Sequence, residues 1–182
     1  VPDAFPEHAR KGLIRVDRQN KCVKNLLVRK TPFDFWGFKI MEYLYCKVSE
    51  LNNDLKNDII TLWKETFSDD KVYIDFILNT FKNSYVFYAL DGGILCAAAF
   101  FTDIKYKSRN SIYNSSYMYA CAVSENHRKK GLFSALYAYA ENILKDSGID
   151  FIFCVPENES LVGFYEKFGF VSNVFFDRKT AG

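Results

Sequence analysis

The spacing of apolar residues changes repeatedly along the chain, and the order of these changes limits its fold more than any other feature. Segments in which apolar residues alternate or run together are predicted as strands, and segments in which they recur every three or four residues are predicted as helices. The resulting order is β-α-α-β-β-β-α-β-α-β. It predicts an α/β layered domain with a mixed sheet.

Turn and cap residues separate these predicted elements. The strands are predicted over residues 40–48, 85–90, 94–104, 116–123, 150–155 and 170–176. The helices are predicted over residues 53–67, from the cap Ser68-Asp69-Asp70 to Phe81, from Gly131 to Gly148, and from the cap Asn158 to Gly169. Residues 1–20 and 105–115 are predicted as loops, and residues 22–29 as a short strand.

Length and composition narrow the class of protein. A chain of 182 residues and 21.1 kDa suits one domain, or one domain with an extension. Its longest apolar runs, such as Ile94 to Phe101, are far shorter than the roughly 20 residues that span a bilayer. Its first residues are polar and contain no apolar signal segment. We therefore expect a cytoplasmic protein without membrane contact, either a monomer or a homodimer.

Metal and thiol chemistry have little support in the sequence. The five cysteines are odd in number and match no zinc spacing, and only two histidines are present. Most of the cysteines lie in apolar stretches, where a free thiol behaves as a small apolar group. We expect reduced, buried thiols, no metal site, and no conventional Ser-His or Cys-His triad.

Charge divides the chain into two parts. Residues 1–39 contain nine Lys and Arg against four Asp and Glu, whereas residues 40–182 contain fifteen against eighteen. We interpret 1–39 as a basic N-terminal extension and 40–182 as the functional domain. The basic residues are spread among apolar ones without an aromatic RNA-binding signature, which argues against nucleic-acid binding.

The junction at residues 119–136 is the densest chemical feature. An apolar strand runs into a basic loop, Arg128-Lys129-Lys130-Gly131, which opens directly into a helix. Free backbone N–H groups and the positive end of the helix dipole favour an anion at such a junction. A solvated charge run before an ordinary helix is the alternative. The loop lacks the glycine and Gly-Lys-Ser/Thr spacing of a nucleoside triphosphate cradle.

A second pattern follows in the last predicted helix. Asn158 begins this helix, and Tyr165 lies about two turns later on the same side. Taken alone, the pattern also fits a capped amphipathic helix with a half-buried tyrosine.

Together the two patterns resemble the GCN5-related N-acetyltransferase (GNAT) superfamily over residues 40–176. The family's acyl-CoA motif, a strand ending in Val followed by Arg/Gln-x-x-Gly-x-Gly/Ala, is matched by Val123, Arg128 and Gly131. Phe133 replaces the last small residue of that motif, and Glu125 stands where proline is common. The second motif, Asn-x6-Tyr-x3-Gly-Phe, is matched in full by Asn158, Tyr165, Gly169 and Phe170.

The resemblance implies a mainly antiparallel sheet with helices on both faces, and acetyl-CoA as co-substrate. Its pyrophosphate would bind the amides of Arg128, Lys129, Lys130, Gly131, Leu132, Phe133 and Ser134. Its pantetheine arm would pair with the backbone of Cys121, Ala122 and Val123, the last also serving as an oxyanion donor. Asn158 would bind the coenzyme backbone or the cap region.

The resemblance also implies transfer of the acetyl group to a primary amine, of a small molecule or a peptide, by direct attack. Tyr165 would protonate the departing thiolate. A covalent route through Cys121 is the alternative to direct attack, and a non-catalytic acyl-CoA-binding sensor or interaction module is the alternative to an enzyme.

Two features of the catalytic domain stay open in the sequence. The candidates for the base that deprotonates the amine are Glu125, Asp103, Tyr119 and a water chain. The candidates to line an acceptor pocket are Tyr113, Tyr117 and Tyr119. The family's sheet usually has one more strand after residues 170–176. That strand is missing, supplied by a partner, or replaced by residues 22–29.

Overall fold

The computed structural model describes residues 12–16, 41–108 and 111–174. The strands are β1 (Gly12–Val16), β2 (Met41–Lys47), β3 (Tyr85–Asp91), β4 (Ile94–Ser108), β5 (Ser111–Val123), β6 (Phe151–Cys154) and β7 (Val171–Val174). The helices are α1 (Asn53–Phe67), α2 (Lys71–Thr80), α3 (Leu132–Asp146) and α4 (Glu159–Glu166).

The strands form one mixed sheet in the order β2-β3-β4-β5-β6-β1-β7. Every neighbouring pair is antiparallel except β5 and β6, which run parallel. The predicted fold class, an α/β protein with a mixed, mainly antiparallel sheet, is confirmed.

Helices cover both faces of this sheet, because side chains of successive strand residues point to opposite faces. On one face, Val86 and Phe100 pack in a core with residues of α1 and α2. On the other face, Phe87 and Phe101 pack in a second core with residues of α3 and α4. The sheet therefore separates two apolar layers, as predicted.

Polar side chains fix where the helices begin. The Leu55 amide donates to Asn52 Oδ1 at 2.8 Å before α1, and the Tyr73 amide donates to Asp70 Oδ1 at 2.7 Å before α2. Each bond satisfies one N–H group that the first helical turn leaves without a partner. The predicted cap before α2 is thus confirmed at Asp70.

The predicted polar loop over residues 105–115 is wrong. β4 continues to Ser108 and β5 begins at Ser111, and Tyr106 lies opposite Tyr113 in the extended hairpin. A hairpin satisfies its backbone groups by pairing with itself, so its polar residues need not face a core. The Tyr106 and Tyr113 rings both pack on Phe151, at 5.5 and 6.3 Å between centroids.

The predicted loop over residues 1–20 is also wrong, at Gly12–Val16. These residues form β1, which lies between β6 and β7 and is antiparallel to both. The N-terminal segment thus contributes a strand within the sheet. The strand predicted for this role, residues 22–29, lies outside the described residues. Five residues that begin with Gly12 and include Arg15 are too few to show a strand period.

Among the described residues, no helix has both the length and the apolar character needed to cross a membrane.

Candidate active site

The sheet opens between β5 and β6. Pairing joins Ser115–Met118 of β5 to Phe151–Cys154 of β6 and ends there. Within the part of the chain that the structure describes, residues 119–123 have a strand neighbour only in β4. This leaves one backbone edge of β5 available to an extended ligand, which could add to it as a strand does.

A bulge in β5 lies at this opening. The register with β4 shifts between Ala98 and Phe100, and Ala120 has a positive φ of 47°. Tyr119 and Ala120 both pack on the α1–α2 side, whereas Cys121 packs on the α3–α4 side. The bulge therefore turns Cys121 toward α4, and a non-glycine residue at positive φ is a form of strain that is common at functional sites.

Backbone alternation determines which β5 residues face the opening. The Ser124 amide donates to the Cys96 carbonyl of β4 at 2.9 Å. Because the polar groups of successive strand residues point to alternate sides, those of Val123 and Cys121 face away from β4. Arg128 Nε donates to the Val123 carbonyl at 2.9 Å, which leaves the Val123 N–H on this side.

The basic turn after β5 exposes backbone donors. Lys129 and Gly131 have positive φ angles of 60° and 76°, and α3 begins at Gly131 without a side-chain cap. The first helical bond runs from the Ala135 amide to the Gly131 carbonyl at 3.1 Å. The N–H groups of Leu132, Phe133 and Ser134 therefore lack a partner from the preceding turn. These N–H groups and the exposed lysines at 129 and 130 are the donors that the predicted anion site would use.

Several of the predicted binding residues can offer only backbone to a ligand at this turn. The side chains of Ala122 and Leu132 are buried in the two cores. Phe133, which stands at the small-residue position of the motif, packs on α4, with its ring centroid 5.5 Å from that of Phe164 and 6.2 Å from that of Tyr165. Phe133 thus ties the first turn of α3 to α4.

Asn158 begins α4 as predicted. Its Oδ1 accepts from the Leu161 amide at 3.2 Å and from Ser160 Oγ at 2.6 Å. The cap occupies the side-chain oxygen, so a ligand contact from Asn158 falls to its Nδ2 group or its backbone.

Tyr165 is buried near the end of α4, beside the β5 bulge. Its ring lies 5.3 Å from Phe164 and 5.6 Å from Phe170, and its hydroxyl lies beside the Cys121 thiol. Burial, and to a smaller extent the Cys121 and Cys154 thiols, raise the pKa of Tyr165 well above its usual value. Tyr165 is therefore protonated at neutral pH, and its hydroxyl lies beside the sulfur of Cys121.

Cys121 is a thiol in this setting rather than a thiolate. Burial raises its pKa to about 12, and the neighbouring Tyr165 hydroxyl lowers it only in part. The thiolate is the nucleophilic form of cysteine. This environment thus argues against the covalent route through Cys121.

The structure does not bring the three candidate bases together. Glu125 is exposed in the turn after β5, and Asp103 accepts from Ser116 Oγ at 3.3 Å on β4. Tyr119 packs on the α1–α2 side, 5.4 Å from Phe100, and burial raises the pKa of its hydroxyl. The charged or titratable groups that shift the pKa of Tyr165 are the Cys121 and Cys154 thiols and the Tyr117 phenol, and no carboxylate of the described residues is among them.

One polar cluster beside the turn after β5 was not predicted from the sequence. His127 bonds both with Ser124, three residues earlier, and with Asp91 at the end of β3. Asp91 lies 36 positions from His127, and in the sequence it belongs to a tight Asp-Gly-Gly turn. No local spacing links the two. Within the described residues, no cluster of three or more His, Cys, Asp or Glu is arranged to hold a metal ion.

An open parallel strand pair, an uncapped helix N-terminus and a buried tyrosine thus lie together at one end of the sheet. The sequence profile of the Acetyltransferase (GNAT) family matches residues 49–170. The chain belongs to this family, as its two motifs predict.

Solved structures share the fold at low sequence identity. A GCN5-related N-acetyltransferase from Ralstonia eutropha is 19% identical, with a TM-score of 0.57, over 78% of this chain and 99% of that one. An aminoglycoside acetyltransferase from an uncultured soil metagenomic sample is 19% identical, with a TM-score of 0.60, over the same two shares.

Glucosamine-6-phosphate N-acetyltransferase from Arabidopsis thaliana is 18% identical, with a TM-score of 0.55, over 79% of this chain and 99% of that one. No curated protein matches the sequence significantly. These likenesses establish the fold and leave the acceptor to be argued separately.

Proposed function

We propose that this protein is an acetyl-CoA-dependent N-acetyltransferase that acetylates a primary amine of a small molecule or a peptide. One observation carries the proposal: the protonated hydroxyl of Tyr165 and the uncapped N-terminus of α3 flank the same open edge of β5. The first can donate a proton to a leaving sulfur, and the second can bind a pyrophosphate.

The coenzyme would lie across this edge. The amides from Arg128 to Ser134 would receive its pyrophosphate, with the α3 dipole behind them. The backbone of Cys121 and Val123 would pair with the pantetheine arm, whereas the polar groups of Ala122 face β4 by alternation and are a weaker choice. Asn158 Nδ2 remains available to the coenzyme because the cap uses only Oδ1.

Bound acetyl-CoA would supply an acetyl thioester. In direct attack, the amine lone pair forms the new C–N bond and the C–S bond breaks. The Val123 N–H would donate to the acetyl oxygen, where negative charge develops. Tyr165 would give its proton to the departing sulfur and regain one from solvent, while the amine loses a proton to water.

A non-catalytic acyl-CoA-binding module is the second candidate, because no carboxylate of the described residues acts on the pKa of Tyr165, and no base for the amine proton is identified there. A panel of primary amines, assayed for release of free CoA thiol and for acetylated product by mass spectrometry, separates the two. Turnover of any amine supports the enzyme. Thermal stabilisation by acetyl-CoA without thiol release across the panel supports the binding module.

The pH profile of the reaction should rise without a falling limb. Burial raises the pKa of Tyr165, so its proton-donating form is present below that raised pKa and persists through the alkaline range. The fraction of the acceptor amine that is neutral, in contrast, increases with pH. We expect kcat/KM to increase up to the pKa of the acceptor amine and to show no fall up to about pH 10. A fall between pH 8 and about pH 9.5, with the protein still folded, would contradict the assigned state of Tyr165.

Cys121→Ala tests the direct route. Because the pKa of the Cys121 thiol is raised to about 12, we expect the alanine variant to keep kcat within about threefold of the wild type. No acetyl adduct should appear on the wild-type chain in intact-mass spectra after incubation with acetyl-CoA alone. A loss of more than about a hundredfold, accompanied by a Cys121 adduct in the wild type, would establish the covalent route instead.

A further inference from the structure

We infer that His127 is a positioning residue that holds the coenzyme-binding turn against the β3–β4 hairpin. This inference rests on the proposed function, since it assigns His127 a part in presenting the amides that would bind the pyrophosphate. The residue itself would not touch the acetyl group.

Two hydrogen bonds place the His127 ring. Nδ1 lies 2.8 Å from Ser124 Oγ, and Nε2 lies 3.1 Å from Asp91 Oδ2. The side chains of His127 and Asp91 are only 24% and 20% exposed. The ring thus bridges the turn and the end of β3 from a largely buried position.

The chemistry of the partners fixes the direction of the bonds. An ionised carboxylate can only accept, so the hydrogen on Nε2 is donated to Asp91. In the neutral ring Nδ1 has no hydrogen, and the Ser124 hydroxyl donates to it. Removing the side chain of either Ser124 or Asp91 leaves the His127 ring with a single hydrogen-bond partner.

The hairpin end of the bridge is firmly placed. Asp91 is the last residue of β3 and lies opposite Met41 in β2 and Ile94 in β4. It therefore belongs to the paired sheet, whereas the strand pairing of β5 ends at Val123 and the turn that follows keeps only the backbone bond of the Ser124 amide to Cys96.

The turn itself has few other anchors. Its backbone is tied to the sheet by the Ser124 amide, and the bonds of the His127 and Arg128 amides to Ser124 and Glu125 are internal. The positive φ angles of Lys129 and Gly131 follow within four residues of His127. A bridge from this turn to β3 would fix the direction of the donors beyond it, and prearranged donors bind an anion without a cost of ordering.

The test compares His127→Ala, His127→Gln and Asp91→Ala in the full chain, by calorimetric titration with CoA and with dephospho-CoA. Pantetheine, which lacks the pyrophosphate, is titrated by NMR at millimolar concentration. We expect His127→Ala and Asp91→Ala each to weaken both pyrophosphate ligands about tenfold, while pantetheine binding is unchanged. Glutamine places an amide donor near the position of Nε2, so His127→Gln should recover most of the affinity.

The double variant His127→Ala/Asp91→Ala should bind CoA no more weakly than either single variant, because both remove the same bridge. Unchanged CoA affinity in both single variants, an equal loss for pantetheine, or additive losses in the double variant would overturn the inference. Failure of the wild-type chain to bind either pyrophosphate ligand would instead refute the proposed function. Should His127→Ala fail to fold, Asp91→Ala and His127→Gln still decide the question.

Discussion

Replacing Tyr165 with phenylalanine is expected to lower kcat for acetyl transfer by about a hundredfold or more, with little change in the affinity for acetyl-CoA. The substitution removes the proton donor and leaves the ring, which Phe133, Phe164 and Phe170 hold in place. The lost hydroxyl lies beside a neutral thiol, so the fold should tolerate its removal. Steady-state kinetics at saturating coenzyme, beside calorimetric binding of acetyl-CoA, provide the measurement.

Tyr139→Phe is a matched control for this change. Tyr139 is a partly buried tyrosine of α3 whose ring packs 6.2 Å from Tyr43 and 6.1 Å from Phe87, toward the β2–β3 edge of the sheet. The Tyr139→Phe variant should keep full activity. A Tyr165→Phe enzyme with wild-type kcat, in a reaction whose chemical step limits the rate, would show that another group or water protonates the sulfur.

Gly131→Ala should weaken coenzyme binding about tenfold and destabilise the fold by about 1 kcal/mol. A Cβ at this position would meet nothing within 4 Å, so the cost comes from the φ angle of +76° and not from a clash. Relaxing toward negative φ would rotate the peptide groups at the start of α3. The amides proposed to bind the pyrophosphate would then point elsewhere.

Gly148→Ala provides a control with the same strain. Gly148 follows the other end of α3, has a φ of +82°, and also leaves open space for a Cβ. We expect a similar fall in the free energy of unfolding, measured with urea, and unchanged binding of acetyl-CoA. Equal losses of affinity in the two variants would mean that general destabilisation, and not the geometry of the turn, explains the Gly131 result.

Short-range patterns were sufficient to predict most of the fold. Asp70 and Asn158 are caps that act within three residues, and the alternation at Val86 and Phe87 assigns each side chain to one of two cores. The prediction for residues 105–115 was wrong because a solvent-exposed hairpin satisfies its backbone hydrogen bonds without a regular spacing of apolar residues. β1 was not predicted because it is short, and its place between β6 and β7 depends on partners more than 130 positions away in the sequence.

The candidate site, too, contains some features that the sequence predicts and others that depend on the tertiary fold. Asn158 and Tyr165 are predictable because one helix sets their spacing, and Gly131 because a turn needs its φ. The bulge at Ala120 has no marker in the sequence, since alanine gives no sign of a positive φ. The bridge from His127 to Asp91 needed the tertiary fold. Phe133 could be seen as a departure from the motif, but its packing on α4 could not.

Calorimetric titration of the full chain with acetyl-CoA is the direct test of coenzyme binding at the β5–α3 turn. We expect saturable binding at one site per chain, weakened about tenfold by Gly131→Ala and unaffected by Gly148→Ala. Absence of binding at millimolar acetyl-CoA, in a chain shown to be folded, would contradict the assignment of the β5–α3 turn as a coenzyme site.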